Sequence, residues 1–197
     1  IFRIKGVKDK ITFKGPFARL IKKNNNTVSN LLKLLRSLKL ITNYYSITIT
    51  KNIPVFAGLG GGTSNAAFIL NHLLDKKISK NLLKKIEPII GSDLILFFKK
   101  KGFLRKLGST LEIRIKKEFY FVLVQPKIKC STKLIYSKVK AYSNKEQFSK
   151  NNINTTEKYM NYILKNRNDL QFIVEKIYPS IKKLLLSIQR EKGCHFS

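Results

Sequence analysis

The chain has 197 residues, of which 43% are hydrophobic and 26% charged, so it can bury one good core or two small ones. That mixture argues against a disordered chain, and the apolar runs are too short to cross a bilayer. No secretory pattern opens the sequence, so we expect a cytoplasmic protein without a membrane partner. Its first residue, Ile1, falls within a strand-like stretch, from which we expect a fragment whose beginning is missing.

Short strands and a helix are predicted for the first fifty residues. Residues 2–4 and 10–13 have strand patterns, and Gly15-Pro16 ends the second. Thr27 is a candidate N-cap for a helix that reaches about Lys39. Its apolar positions recur at helical spacing; they are Val28, Leu31, Leu32, Leu35 and Leu38. Residues 45–50 alternate between apolar and polar, which predicts a half-buried strand.

A glycine-rich loop follows, and the next predicted helix begins near Ser64 and closes at residues 75–77. Its inner face would carry Ala66, Ala67, Leu70, Leu73 and Leu74. A further helix is predicted at 81–90, interrupted by Pro88, because proline removes a helical hydrogen bond. Residues 94–98 then predict an apolar strand, and residues 103–115 a hairpin around Gly108.

From residue 119 onward, one strand, a polar excursion and two helices are predicted. Residues 119–124 predict one fully buried strand, and residues 125–165 a mobile, polar surface excursion with some helix. Asn168 can cap a helix, and Pro179 is typical of the first position of the next one. Because strands and helices alternate irregularly, the predicted fold class is α+β.

The formal net charge of +29 is typical of nucleic-acid-binding proteins. However, the lysines are scattered along the whole chain, and no arginine-rich tract, aromatic RNA-binding motif or zinc-finger spacing accompanies them. Runs such as the three asparagines at 24–26 are typical of proteins from AT-rich genomes. They favour compositional drift as the explanation of the high lysine content. We therefore predict no nucleic-acid partner, although the charge would attract anions such as nucleotides.

The cysteines and histidines do not predict a metal site. Cys130 and Cys194 form no C-x-x-C pair and are expected to be reduced, packed thiols. His72 and His195 lack neighbours in the sequence that would complete a catalytic triad or a metal site.

The glycine-rich loop between a strand and a helix carries the clearest functional signal. Glycine lets the backbone approach a phosphate closely, and the N-terminus of the following helix adds free amides and a positive dipole end. Thr63 and Ser64 add hydroxyl groups that can reach a phosphate or its Mg²⁺. The loop lacks the lysine of a P-loop and the spacing of a Rossmann fingerprint. A flexible turn is the alternative, but a turn needs fewer than three consecutive glycines.

The loop sequence Gly-Leu-Gly-Gly-Gly-Thr-Ser-Asn-Ala-Ala, with a proline before it, resembles the ATP loop of the GHMP kinases. The triple glycine places it closest to the branch of that family whose acceptor is a cytidyl-linked small alcohol in the non-mevalonate isoprenoid route. The resemblance implies ATP and Mg²⁺ as cofactors. It assigns ATP binding to Lys51, Pro54, Val55, Phe56, Ala57, Gly58, Leu59, Gly60, Gly61, Gly62, Thr63 and Ser64; for Lys51, a solvated surface lysine is the alternative.

Gly91-Ser92-Asp93 before an apolar run resembles a second motif of this family. There the aspartate lies beside the acceptor hydroxyl, and a carboxylate can orient an alcohol and accept its proton. The alternative role for Asp93 is a helix or strand cap. Ile95 departs from the family pattern, which usually has proline at this position. The resemblance also assigns substrate binding to Asn65, Thr132 and Tyr136, with a surface tyrosine as the alternative for Tyr136.

The family resemblance implies two domains, at residues 1–117 and 118–197. The first would have the fold of ribosomal protein S5 domain 2 and the second a partial ferredoxin-like fold. The family's first strand and second glycine loop are not found in the sequence, so we expect truncation at both ends and a fragment without kinase activity. The implied partners are ATP and a cytidyl substrate. The oligomeric state is expected to be either a monomer or a homodimer. Another GHMP kinase and a basic RNA-binding module are the alternative functions.

Overall fold

The computed structural model describes residues 1–55, 57–75, 78–99, 102–106, 109–112, 120–128, 130–142, 155–166 and 168–194. They belong to two compact units, residues 1–112 and 113–197. Within the described ranges, none of the helices combines the length and apolarity that a bilayer crossing requires.

A three-stranded sheet forms one layer of the first unit. β3 (Tyr44–Thr50) lies in the centre, with β1 (Phe2–Ile4) antiparallel and β2 (Lys10–Lys14) parallel to it. The alternation in β3 buries Ile47, whose side chain is 1% exposed, and leaves Thr48 in solvent. The three predicted strands are therefore confirmed to within a residue or so at each end.

Three helices share a core with the sheet: α1 (Thr27–Ser37), α2 (Gly61–Leu74) and α3 (Lys80–Ile90). α1 packs against both α2 and α3, so the helices share one core. Its fully buried side chains include Leu31, Leu32, Leu35, Ile69, Leu70, Ile86 and Leu94. Most of the predicted inner face of α2 is buried as expected, because those residues recur at helical spacing.

The predicted cap of α1 and the predicted interruption of α3 were wrong. Asn26, not Thr27, caps α1: its side-chain oxygen accepts hydrogen bonds from the amides of Val28 and Ser29, and Ser29 completes a capping box. Pro88 does not interrupt α3, which continues to Ile90. A proline in the last turn removes one hydrogen bond without preventing the helix from finishing.

The segment after α3 is a 3-10 helix, Leu94–Phe98, and the predicted strand at 94–98 is wrong. The amides of Leu94 and Leu96 donate to the carbonyls three residues earlier, both at 3.0 Å. A short apolar run does not distinguish a buried strand from a buried helical turn. β4 (Gly102–Lys106) and β5 (Ser109–Glu112) then pair antiparallel, as the predicted hairpin requires, whereas Gly108 and residues 113–115 lie outside the described residues.

A half-buried ion pair ties three elements of the first unit together. The guanidinium of Arg36, in α1, makes two hydrogen bonds of 2.7 Å to the carboxylate of Asp9, which precedes β2. Asp9 also accepts a 2.9 Å bond from the amide of Tyr45 in β3. The guanidinium lies 4.4 Å from the centre of the Tyr44 ring, which adds a cation–π contact.

We expect Asp9→Asn to lower the free energy of unfolding of the first unit by about 2 kcal/mol, because charge-assisted hydrogen bonds contribute more than neutral ones. Arg36→Lys should lower the free energy of unfolding by less, because it keeps the charge and loses only the bidentate geometry. Urea unfolding of both variants measures the difference. A free energy unchanged by Asp9→Asn would show that the pair is no more than an exposed surface contact.

The second unit is helical in its described part. It contains α4 (Thr132–Ser137), α5 (Thr156–Lys165), α6 (Asp169–Ile177) and α7 (Pro179–Gln189), and α6 packs on α7. Asn168 caps α6 by accepting a 3.0 Å bond from the amide of Leu170, and Pro179 begins α7, so both predictions are confirmed. Helix is present within 125–165, as predicted; residues 143–154 lie outside the described ranges.

The predicted buried strand at 119–124 is wrong in its described part, residues 120–124. Tyr120 is 96% and Val122 90% exposed, and no strand forms there. An apolar, β-branched run becomes a buried strand only where a neighbouring strand and a covering layer are available. The described elements of this unit are all helices. Phe119 lies outside the described residues.

Candidate functional site

The glycine loop leads directly into α2, which begins at Gly61, three residues before the predicted start. Gly60 is the N-cap, in the left-handed conformation with φ 62° and ψ 16°. The first helical hydrogen bond runs from the amide of Ser64 to the carbonyl of Gly60, at 2.8 Å. The amides of Gly61 and Gly62 therefore lie in the first turn, where no carbonyl one turn earlier can accept them, which suits an anion.

Each of the three consecutive glycines lies against a different side chain. A Cβ atom on Gly60 would lie 2.6 Å from an Asp93 carboxylate oxygen, and one on Gly62 would lie 2.8 Å from the Thr27 hydroxyl. A Cβ atom on Gly61 would meet the Lys51 amino nitrogen at 3.2 Å. Space for a side chain is therefore tightest at Gly60 and Gly62, and the left-handed backbone at Gly60 also favours glycine.

Asp93 lies against this loop. Besides approaching Gly60, its carboxylate would be 2.9 Å from a Cβ atom on Gly91, which itself would lie 2.6 Å from the Thr63 hydroxyl. The carboxylate does not cap the 3-10 helix that it precedes. The ring of Phe97 also approaches, 2.9 Å from the same hypothetical Cβ of Gly60. The half-buried Asp93 therefore lies beside the N-terminus of α2.

Lys51 is buried, with 4% of its surface exposed, so the alternative of a solvated lysine does not apply. Its amide donates to the carbonyl of Lys14 at 2.7 Å, and its carbonyl accepts from the amide of Phe17 at 3.3 Å. Its amino group donates a long hydrogen bond, 3.4 Å, to the carbonyl of Gly61. Burial lowers the pKa of Lys51, because desolvation disfavours the charged ammonium.

A cavity of about 310 Å³ adjoins the loop. Its lining is contributed by Phe13, Leu20, Ile21, Lys22, Asn25, Asn26, Thr27, Val28, Lys51, Val55, Gly62 and Asn65. The N-termini of α1 and α2 both reach it, so two positive dipole ends and two lysines face one space. A cavity of this size with apolar walls and a cationic end suits a small anionic molecule with an apolar part.

The structure brings several of the predicted site residues of the first unit together. Lys51, Val55, Gly62 and Asn65 share the cavity, and Gly60, Thr63 and Asp93 lie close together at the helix start. Gly58 and Leu59 are exposed, Pro54, Ala57 and Ser64 are half-buried, and Phe56 lies outside the described residues. Thr132 and Tyr136 lie on α4 of the second unit; Tyr136 is 53% exposed, and the side chain of Thr132 is outside the described part.

Sequence reasoning missed Asn25, Asn26 and Phe97. The asparagines were interpreted as compositional drift, although Asn26 caps α1 and both line the cavity. A capping pattern, Asn followed three residues later by Ser, was the available signal. No comparable signal marked Phe97. His72 stacks on Phe68 on the outer face of α2, with ring centres 6.4 Å apart, and takes no part in the site.

Residues 25–99 match the family model described as GHMP kinases N terminal domain. The matched span contains α1, the glycine loop, α2 and Asp93. Residues 25–99 therefore form a GHMP kinase N-terminal domain, and the expected α+β fold is confirmed.

Within that family, the chain is similar to enzymes named 4-diphosphocytidyl-2-C-methyl-D-erythritol kinase. It is 40% identical to that of Pelagibacter ubique over 180 residues, which cover 89% of this chain and 63% of the relative. It is 34% identical to that of Buchnera aphidicola over 175 residues, covering 84% of this chain and 56% of the relative. The chain thus spans less than two thirds of the length of either relative.

Solved structures share the fold. A crystal structure of 4-(cytidine 5'-diphospho)-2C-methyl-D-erythritol kinase aligns with a TM-score of 0.57 and 19% identity, over 94% of this chain and 67% of that one. Homoserine kinase from Cytophaga hutchinsonii aligns with a TM-score of 0.52 and 18% identity, over 82% of this chain and 55% of that one. At these identities the likeness concerns the fold alone.

Proposed function

We propose that this chain carries the ATP site of a kinase that phosphorylates the 2-hydroxyl of 4-diphosphocytidyl-2-C-methyl-D-erythritol in the non-mevalonate isoprenoid route. The observation that carries the proposal is the position of Asp93, whose carboxylate lies against Gly60 at the start of α2. An anion cradle and a potential proton acceptor side by side are what transfer of a phosphoryl group to an alcohol needs. The names of the relatives supply the particular substrate.

In this proposal the triphosphate lies on the first turn of α2. The amides of Gly61 and Gly62 donate to its oxygens, and the dipole of α2 offsets their charge. The cavity beside the loop receives the nucleoside part, with Lys51 and Asn65 in its lining. Phosphoryl transfer depends mainly on positioning and charge neutralisation, and the loop geometry supplies both.

Mg²⁺ fits this site as an ion held mainly by phosphates. Within the described ranges, no group of three His, Cys, Asp or Glu side chains could bind a metal by itself. Mg²⁺ commonly uses one or two protein ligands together with substrate phosphates, and the hydroxyl of Ser64 in the first turn of α2 could serve as one. Bound there, the ion would neutralise charge that develops on the transferred group.

Asp93 would act on the acceptor. Its carboxylate would accept a hydrogen bond from the substrate hydroxyl, orient the oxygen toward the terminal phosphate and take its proton during transfer. The carboxylate is near enough to Gly60 to lie beside the first turn of α2, where the triphosphate is proposed to bind.

The second unit would supply the contacts to the cytidyl group. We propose that residues 118–197 form part of the family's second domain, and that Thr132 and Tyr136 face the substrate. An exposed tyrosine ring at the end of a short helix can stack on a nucleobase. The same proposal includes a cytoplasmic location, a monomeric or homodimeric state, and no nucleic-acid partner.

The proposal predicts ATP-dependent phosphorylation that requires the cytidine group of the acceptor. ADP release, coupled to NADH oxidation, is to be measured with 4-diphosphocytidyl-2-C-methyl-D-erythritol, with 2-C-methyl-D-erythritol 4-phosphate and with homoserine. The product of the whole gene is used, because the relatives are longer than this chain. Turnover only with the cytidyl substrate supports the proposal; turnover with homoserine alone would assign another GHMP activity.

A further inference from the structure

Lys51 differs from the other lysines in the described part of the chain. It is buried, whereas every other lysine whose side chain is described is exposed. Its amino nitrogen has one long hydrogen bond, to the carbonyl of Gly61 at 3.4 Å. Among the described residues, no carboxylate forms an ion pair with Lys51.

The surroundings of Lys51 favour its neutral, nucleophilic form. Burial lowers its pKa, because desolvation disfavours the charged ammonium. The cationic side chain of Lys22 and the N-termini of α1 and α2 line the same cavity as Lys51. A lower pKa leaves a larger fraction of the amine unprotonated at neutral pH, and only the unprotonated amine attacks a carbonyl. The same positive groups attract an anionic reagent into the cavity.

We propose that Lys51 is a site of acylation by small acyl phosphates. The phosphate of the reagent would bind at the helix N-termini, and its carbonyl carbon would then lie near the amine. The nitrogen lone pair forms a bond to the carbonyl carbon, and the bond from that carbon to the phosphate oxygen breaks. Inorganic phosphate leaves, the amine loses one proton to solvent, and a neutral amide remains.

Acylation would close the site to other anions. It removes the one buried cation of the described residues and adds an acyl group beside Gly61, where a single extra carbon would already lie 3.2 Å from the amine. If the cavity binds ATP, as proposed above, the amide blocks that binding. The acylation itself does not depend on kinase activity, so the two proposals fail separately.

Lys14 provides an internal control for the labelling. Its carbonyl accepts a hydrogen bond from the amide of Lys51, so the two residues are neighbours, but the side chain of Lys14 is exposed. The chain is treated with acetyl phosphate or with uncharged acetic anhydride, and acetylation of each lysine is followed by peptide mass spectrometry. With acetyl phosphate we expect Lys51 to react roughly tenfold or more faster than Lys14, as steering of an anion permits.

Competition with inorganic phosphate distinguishes binding of the reagent in the cavity from the nucleophilicity of the Lys51 amine alone. Inorganic phosphate should slow acetylation of Lys51 by acetyl phosphate and leave Lys14 unaffected, and the preference for Lys51 should be smaller with acetic anhydride. Lys51→Arg should remove the fast-reacting position while the rate at Lys14 stays the same. Equal rates at Lys51 and Lys14, or an equal preference with both reagents, would overturn the proposal whatever the kinase assay shows.

Discussion

Asp93→Asn is expected to lower kcat by about 10²- to 10⁴-fold, the range attributed to a positioned general base. The amide has the same shape as the carboxylate, so it can occupy the space between Gly60 and Gly91 without repacking. It cannot accept a proton from the acceptor hydroxyl, and it also removes a negative charge beside the phosphate site. The affinity for ATP should therefore stay the same or rise slightly while turnover falls.

Steady-state kinetics with the cytidyl substrate and a separate equilibrium measurement of ATP binding test this expectation. Asp75→Asn is the matched control: it makes the same chemical change at an exposed residue just after α2, where φ is 49° and asparagine is tolerated. The control should leave kcat and the affinity for ATP unaltered. Retention of kcat within a few-fold in Asp93→Asn would remove Asp93 from the chemistry.

Local signals in the sequence were enough to predict much of the first unit. The alternation at 45–50 predicts β3 because one face of that strand is buried, and helical spacing predicts α1 and α2 for the same reason. Residues 94–98 are all apolar whether buried or exposed, so the pattern carries no period and a 3-10 helix was taken for a strand. At 120–124 the apolar run was taken as buried, yet its side chains are exposed.

The site shows the same division between local and long-range information. The glycine run predicts an anion-binding loop from backbone conformation alone, and the structure places it at the start of α2. The contacts of the loop with Asp93 and Thr27 join residues that are far apart in sequence, whereas Lys51 closely precedes the loop. No spacing rule connects Asp93 to the loop, so only the family resemblance could bring it there, and Thr27 was interpreted as a helix cap.

Gly60→Ala is expected to reduce kcat by about 100-fold, because a misplacement of roughly 1 Å at a reacting group has an effect of that size. The new methyl group would lie 2.6 Å from the Asp93 carboxylate and 2.9 Å from the Phe97 ring, so the loop or the carboxylate must move. The left-handed backbone at Gly60, with φ 62°, adds a cost of about 1 kcal/mol or more for alanine. Activity and stability should therefore both fall.

Gly58→Ala separates these two effects. Gly58 has nearly the same conformation, with φ 70°, but a Cβ atom there would meet nothing within 4 Å. The two variants should therefore lose similar free energies of unfolding in urea, whereas Gly60→Ala should lose at least roughly tenfold more activity, since only its methyl group displaces Asp93. Equal losses of activity would mean that backbone strain alone explains the lower activity of both variants. The close approach of Asp93 to Gly60 would then have no part in catalysis.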